Sequence, residues 1–102
     1  MKILFIDATK REEIFVELEL DEVKDRKVVE DARSENILSS IDKILKKNKV
    51  GLKDLNEIKV NPGPGSFTGI RVGISIANAL GFALNIPVNG KIGGELDPVY
   101  NG

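Results

Sequence analysis

The chain has 102 residues, a formal net charge of -1 and a hydrophobic fraction of 41%, which together fit one small folded domain. It contains no cysteine and no histidine. Their absence excludes disulfides and thiol catalysis, removes the commonest general base, and argues against a zinc site. The near-neutral charge gives no reason to expect direct binding to nucleic acid or to an anionic membrane.

The first 32 residues predict three strands joined as a meander. Ile3 to Ile6 is the continuous apolar run of a central strand. Residues 14–20 alternate apolar and polar, the pattern of a half-exposed antiparallel strand, and residues 26–32 predict a third strand after a turn at 21–25. The opening apolar run is too short for a signal peptide or a membrane span, so we expect a cytoplasmic protein.

The next segment predicts an amphipathic helix. Ser34 is a plausible N-cap, and Gly51 suits the left-handed position after the helix end. The apolar stripe consists of Ile37, Leu38, Ile41, Ile44 and Leu45. A fourth strand follows at residues 58–60.

A loop rich in proline and glycine, reading NPGPGSFTGIRVG, runs from residue 61 into the second helix. Glycine-rich turns before a helix can bind phosphate through free N–H groups. This loop lacks the ending of a P-loop, and its prolines remove donors, so a rigid structural corner is the favoured interpretation. The structural loop residues are Pro62, Gly63, Pro64, Gly65, Thr68 and Gly69, with Thr68 as the expected N-cap.

The second helix, at about residues 68–84, is apolar around most of its circumference and carries a ridge of small residues: Gly69, Gly73, Ala77 and Gly81. Glycine inside a helix destabilises it by about 0.5–1 kcal/mol relative to alanine, so the ridge needs a packing reason. The ridge could pack on the chain's own sheet, or it could meet a partner. The predicted partner contacts are Ile70, Arg71, Gly73, Ile74, Ala77, Asn78 and Gly81, with Ile37, Ile41 and Leu45 as lesser candidates.

A short fifth strand is expected at residues 86–88, followed by a tail at 91–102. The predicted element order is therefore β-β-β-α-β-α-β, an α/β domain with helices on a mixed five-stranded sheet. The ribonuclease-H-like fold has this order. Charged residues are scarce after residue 60, where only two basic and two acidic side chains occur, so we expect the C-terminal third to be buried or covered by another chain.

Asp7 and Thr9 follow the first strand, where actin-like ATPases place an aspartate near the metal-nucleotide. A lone aspartate there is more often a turn residue. The alternative function is therefore an ATP- or phosphate-binding protein that uses Asp7 and the 63–69 loop. Arg71 could clamp a carboxylate or phosphate, or form an ordinary salt bridge.

Three stretches of residues 1–90 resemble the TsaB (YeaZ) family: MKILFIDAT, the Ser-Glu that opens the first helix, and GPGSFTGIRVGISIANALGFALNIPV. Members of that family are bacterial dimerisation subunits of the machinery that makes threonylcarbamoyladenosine in tRNA. The resemblance implies the N-terminal lobe of the actin-like ATPase fold over residues 1–90 and a role without catalysis, cofactor or metal.

The resemblance also implies pairing, through the two helices, with the catalytic subunit TsaD, and self-association through the same surface. Contact with the ATPase TsaE is left open, and neither direct tRNA binding nor membrane association is expected. Asp7 and Thr9 would then be a vestigial nucleotide site. Family members usually have a second lobe, for which these 102 residues have no room.

Overall fold

The computed structural model describes residues 1–93 and 96–99. Its elements are β1 (Lys2–Asp7), β2 (Phe15–Leu20), β3 (Val23–Val28), α1 (Ser34–Lys47), a 3₁₀ helix (Leu52–Asp54), β4 (Glu57–Val60) and α2 (Phe67–Leu84). The predicted mixed α/β class and the element order as far as α2 are confirmed. The predicted tail falls partly on residues 94, 95 and 100–102, which lie outside the described residues.

The four strands form one sheet in the order β3-β2-β1-β4. β1 is antiparallel to β2 and parallel to β4, so Leu4 lies between Leu18 and Ile58. These three side chains are fully buried and belong to the core that both helices cover. Because alternate residues of a strand point to opposite faces, Phe5 and Phe15 lie on the other face of the sheet, where their ring centroids are 5.8 Å apart.

The predicted fifth strand is wrong: within the described residues the sheet has four strands. Val88 forms only an isolated bridge to Ile58 and another to Lys91. The chain turns away at once, because Asn89 and Gly90 have φ values of 49° and 85°. The side-chain amide of Asn89 takes the place of further strand residues, accepting from the N–H of Val60 and donating to its carbonyl oxygen at 2.9 Å each.

The third strand begins earlier than the sequence predicts. The turn uses only Asp21 and Glu22, with Asp21 at a φ of 49°, so that Leu20 pairs directly with Val23. The strand then ends at Val28 rather than at residue 32.

The predicted helix boundaries also need correction. Ser34 is the first helical residue, and the cap position of α1 belongs to Arg33, whose N–H donates to the Asp31 carboxylate at 3.0 Å. The left-handed residue after α1 is Lys49, with a φ of 57°, rather than Gly51. Thr68 likewise lies inside the first turn of α2, and Ser66 is the N-cap.

Candidate partner interface

The loop from residue 61 to 66 is fixed by contacts with the end of β1. The N–H of Ser66 donates to the carbonyl oxygen of Thr9 at 2.6 Å, and the N–H of Gly63 donates to the side-chain oxygen of Asn61 at 3.1 Å. Pro62 and Pro64 have no N–H to offer. At four of the five positions from 62 to 66 the N–H donor is therefore absent or already used within the chain, which supports the structural-corner interpretation.

Gly65 lies close to Thr9 at this corner. Its φ of 156° is hard for other residues to adopt, and a Cβ there would overlap the carbonyl oxygen of Thr9. A glycine is thus required for the loop to pass the end of β1. The oxygen of the Ser66 side chain then accepts from the N–H of Gly69 at 3.4 Å and starts α2.

The carboxylate of Asp7 joins β1 to the same loop. One oxygen accepts from the N–H of Thr9 at 3.0 Å and from its hydroxyl at 2.7 Å. The other oxygen accepts from the side-chain amide of Asn61 at 3.1 Å. Thr9 is buried, with 5% of its surface exposed. The two residues of the predicted vestigial nucleotide site thus meet, and in this structure their hydrogen-bonding atoms serve the fold.

The described residues contain no group of three or more His, Cys, Asp or Glu side chains that could hold a metal ion.

The small-residue ridge of α2 packs on the chain's own sheet and the residues that flank it. A Cβ added to Gly69 would overlap the carbonyl oxygen of Ala8, and one added to Gly81 would overlap a methyl group of Val88. Ala77, between them, is fully buried. The helix can therefore approach this closely only because positions 69 and 81 of the ridge lack side chains. Packing on the chain's own sheet thus explains the ridge, and this is one of the two explanations that the sequence left open.

Several predicted contact residues are buried with the ridge. Ile70 and Ile74 of α2 are 1% and 5% exposed, and the three candidates from α1 are buried as well. All belong to the single core between helices and sheet: Ile37, Ile41, Leu45, Ile70, Ile74 and Ala77. These side chains are thus not surface groups of the chain described here. Whether the helices meet a partner stays a prediction.

The solvent-facing side of α2 is a separate stripe, which we name the α2 face: Thr68, Arg71, Ser75, Ala79 and Phe82. Its positions recur at i, i+3, i+7, i+11 and i+14, so they form one line along the helix. The middle of the line is occupied by the small residues Ser75 and Ala79. Phe82 is 89% exposed. The sequence analysis counted Phe82 among the apolar residues that surround α2. The helical period, however, sets it apart from the buried residues of the helix.

Arg71 and Asn78 are the predicted contact residues that remain accessible. The Arg71 guanidinium lies 5.4 Å from the ring centroid of Phe67, and it has no ion pair within the described part of the chain. Asn78 is partly exposed beside the α2 face, and its side-chain amide exchanges two hydrogen bonds with the main chain of Leu96, each 3.3 Å long.

Hydrogen bonds also lower the pKa values of two carboxyl groups, one near each end of α1. At its start, the pKa of Asp31 is lowered by the N–H of Arg33, by the side-chain amide of Asn36 and by the charge of Arg33. At its end, the pKa of Asp25 is lowered mainly by the side-chain amide of Asn48, with a contribution from Lys47. Both carboxylates thus stabilise the ends of α1 most strongly when they are charged.

By length and composition, α2 could also cross a membrane, with 39% of its 18-residue window buried in the structure. One such helix is weak evidence, because the core helix of a soluble protein meets the same criterion.

These features define a small α/β domain that rests two helices on one face of a mixed sheet and leaves one helix face accessible. Comparison with known proteins agrees with this description of the fold. The family model for TsaD, tRNA N6-adenosine threonylcarbamoyltransferase, matches residues 27–90, which is more than half of the chain. The chain therefore belongs to this family, and within it the chain is a TsaB-like protein, as its curated and structural relatives show.

The curated relatives include TsaB proteins, described as tRNA threonylcarbamoyladenosine biosynthesis proteins. TsaB of Buchnera aphidicola from Schizaphis graminum is 50% identical over 53% of this chain and 26% of its own length. TsaB of Escherichia coli is 39% identical over 56% of this chain and 25% of its own length. A tRNA N6-adenosine threonylcarbamoyltransferase of Clostridioides difficile is 40% identical over 78% of this chain and 22% of its own length.

Among solved structures, YeaZ from Pseudomonas aeruginosa superimposes with a TM-score of 0.75 at 27% identity, covering 85% of this chain and 41% of that chain. The chain thus spans about a quarter of the length of the curated TsaB relatives that it matches.

Proposed function

We propose that this chain is a non-catalytic dimerisation and activating subunit that binds a TsaD-like enzyme in the threonylcarbamoylation of adenosine in tRNA. The observation that carries the proposal is the accessible α2 face in a chain whose TsaB relatives are named for this pathway. The contact would use the α2 face itself, with Arg71 and Asn78 from the predicted set.

The chemistry of the α2 face fits contact with a helix. Ser75 and Ala79 leave the middle of the stripe almost flat, which lets a second helix approach to the short end of the usual 8–10 Å range between axes. Phe82 at one end and Arg71 toward the other supply a large apolar group and a fixed charge. Phenylalanine and arginine are both enriched at protein–protein interfaces relative to the rest of the surface.

The non-catalytic part of the proposal draws on Asp7. A carboxylate that bound a metal-nucleotide would direct its oxygen lone pairs at the ligand, whereas the Asp7 carboxylate accepts three hydrogen bonds from Thr9 and Asn61, which use most of its about four acceptor sites. The chain also has no histidine or cysteine to act as base or nucleophile. Catalysis would then belong to the TsaD-like partner.

The proposal includes the finer expectations that follow from TsaB-like identity: a cytoplasmic location, an actin-like N-terminal lobe, and self-association through the same surface when the partner is absent. Contact with a TsaE-like ATPase and direct binding of tRNA are not part of it.

The test combines co-purification with the cognate TsaD-like protein and a threonylcarbamoyl transfer assay with and without this chain. A variant Ser75→Trp places an indole in the flat middle of the α2 face. We expect it to fold and to weaken binding to the enzyme by at least tenfold, a loss of about 1.4 kcal/mol.

The matched control is Val28→Trp, which adds the same group to an exposed position of β3 (73% exposed). It should bind like the unmodified chain. Equal binding by both variants would place the contact elsewhere, and absence of any binding or activation by the unmodified chain would refute the proposed function.

A further inference from the structure

The segment from residue 96 to 99, which we name the strap, lies alongside α2 and is attached at its two ends. Leu96 exchanges two main-chain hydrogen bonds with the side chain of Asn78, and its own side chain packs against the core. At the other end, the N–H of Val99 donates to the carbonyl oxygen of Pro62 at 2.7 Å. The strap therefore runs from the middle of α2 back to the loop that starts the helix.

The strap and the α2 face line the same groove. A groove of about 640 Å³ separates them, and Arg71, Ser75 and Phe82 line it together with Leu96 and Pro98 of the strap. A helix with its side chains is about 10–12 Å across, so a partner helix centred on Ser75 would reach the strap side of α2. Asn78 is already bonded there to Leu96. A partner that used Asn78 would have to displace this bond.

We propose that the strap is a displaceable competitor that occupies one side of the α2 face and lowers the affinity of this chain for its partner until it moves away. The inference rests on the proposed function. Within the described residues, few contacts hold the strap: three hydrogen bonds, two of them 3.3 Å long, and the half-buried side chains of Leu96 and Pro98. Those contacts must offset the conformational freedom that four residues lose on closing, so the closed and open states lie close in free energy.

The experiment uses the full chain and removes two of the attachments, the packed side chain of Leu96 and the hydrogen bond of Val99. In the variant Leu96→Ala/Val99→Pro, the alanine removes the packed side chain, and the proline removes the N–H that bonds to Pro62. If the strap is closed in about nine molecules of ten, the apparent Kd for the cognate TsaD-like protein falls about tenfold in this variant, because the competent fraction rises to one. The control is Ile92→Ala, at a position 65% exposed and outside the strap, which should leave the Kd unchanged.

A measurement without partner checks the closed population. In the unmodified chain, exchange of the amide hydrogen at position 96, which is donated to the side-chain oxygen of Asn78, should be slowed about tenfold relative to an unstructured peptide, and the slowing should vanish in the double variant. Slowing of more than about a thousandfold would overturn the inference, because such a strap would be too stable to open readily. Absence of any slowing would also overturn it.

The binding data separate the two proposals. A change in Kd of less than about twofold, with binding and activation retained, overturns the strap as a competitor and leaves the proposed function standing. Failure of every variant and of the unmodified chain to bind at micromolar concentration overturns both.

Discussion

The hydrogen bond between Asp7 and Asn61 offers a direct test of what the aspartate after β1 does. In the variant Asp7→Asn, one orientation of the new amide keeps the two bonds from Thr9 but turns its NH₂ group toward the NH₂ group of Asn61. The other orientation restores an acceptor for Asn61 and loses the bonds from Thr9. No orientation satisfies all the donors, so a charge-assisted hydrogen bond is lost in either case.

The expected cost follows from that loss. Hydrogen bonds to charged groups contribute about 1.5–3 kcal/mol, so Asp7→Asn should lower the free energy of unfolding by about 2 kcal/mol. In a domain of this size that corresponds to a fall in Tm of roughly 10 °C. Asn61→Asp should be at least as damaging, because two carboxylates then face each other across the gap that is now 3.1 Å.

The double variant Asp7→Asn/Asn61→Asp exchanges the two groups. The amide at position 7 can accept from Thr9 and donate to the carboxylate at position 61, which can still accept from the N–H of Gly63. Urea unfolding followed by circular dichroism should therefore show the double variant within about 1 kcal/mol of the unmodified chain, a coupling that only residues in contact display.

Two results would refute this reasoning. One is a double variant no more stable than the worse single variant. The other is an Asp7→Asn variant of unchanged stability that loses a saturable binding of Mg-ATP measured by calorimetry, since the aspartate would then serve a ligand rather than the loop.

Two further predictions concern α2 and α1. Gly81→Ala should lower the free energy of unfolding by about 1–3 kcal/mol, because its methyl group meets Val88. The Cβ of Gly73→Ala would meet its neighbours at ordinary distances of 3.6–3.7 Å, so this variant should raise the free energy of unfolding by up to about 1 kcal/mol. Equal effects of the two variants in urea unfolding would contradict the packing of the ridge. The pKa of Asp31 is lower in the folded chain than its ordinary value of 3.8, so its contribution to stability is present above that value and is lost as the pH falls through the folded pKa. Asp31→Asn should flatten this part of the acid unfolding curve measured by circular dichroism between about pH 5 and pH 2, and a curve as steep as that of the unmodified chain would contradict the assignment.

The sequence was sufficient to predict the elements that periodicity controls. The meander, the buried first strand and most of the stripe of α1 follow from apolar spacing, and the structure contains them in the predicted order. Leu38 was wrongly assigned to that stripe: it is 47% exposed, because it lies at the border of the face of α1 that buries Ile37 and Ile41. The errors lie where a single side chain decides the outcome. Asn89 pairs with Val60 through its amide and ends the sheet where a fifth strand was expected, and no local pattern distinguishes such an asparagine from one in an ordinary turn.

The candidate site was predictable only in part. The four-residue spacing of the glycines correctly indicated close approach of α2 to something, but spacing does not specify the neighbour. Ala8, which Gly69 meets, is distant in sequence, and Val88 meets Gly81 only because the chain reverses after α2, so both contacts depend on how the chain folds beyond the helix. The exposed stripe ending at Phe82 was available from the helical period, whereas the link between Asn78 and Leu96 was not.

The Asn89 amide that pairs with Val60 also protects an edge of the sheet. An unpaired outer strand exposes N–H and C=O groups that can recruit a strand of another molecule, and β4 would be such a strand without Asn89 and the bridge at Val88. At the opposite edge, β3 presents four charged residues in succession, from Lys24 to Lys27. Charged side chains discourage addition of a strand at an edge. With both edges protected against strand addition, the sheet offers little surface for association, and the contact proposed for α2 does not compete with strand pairing.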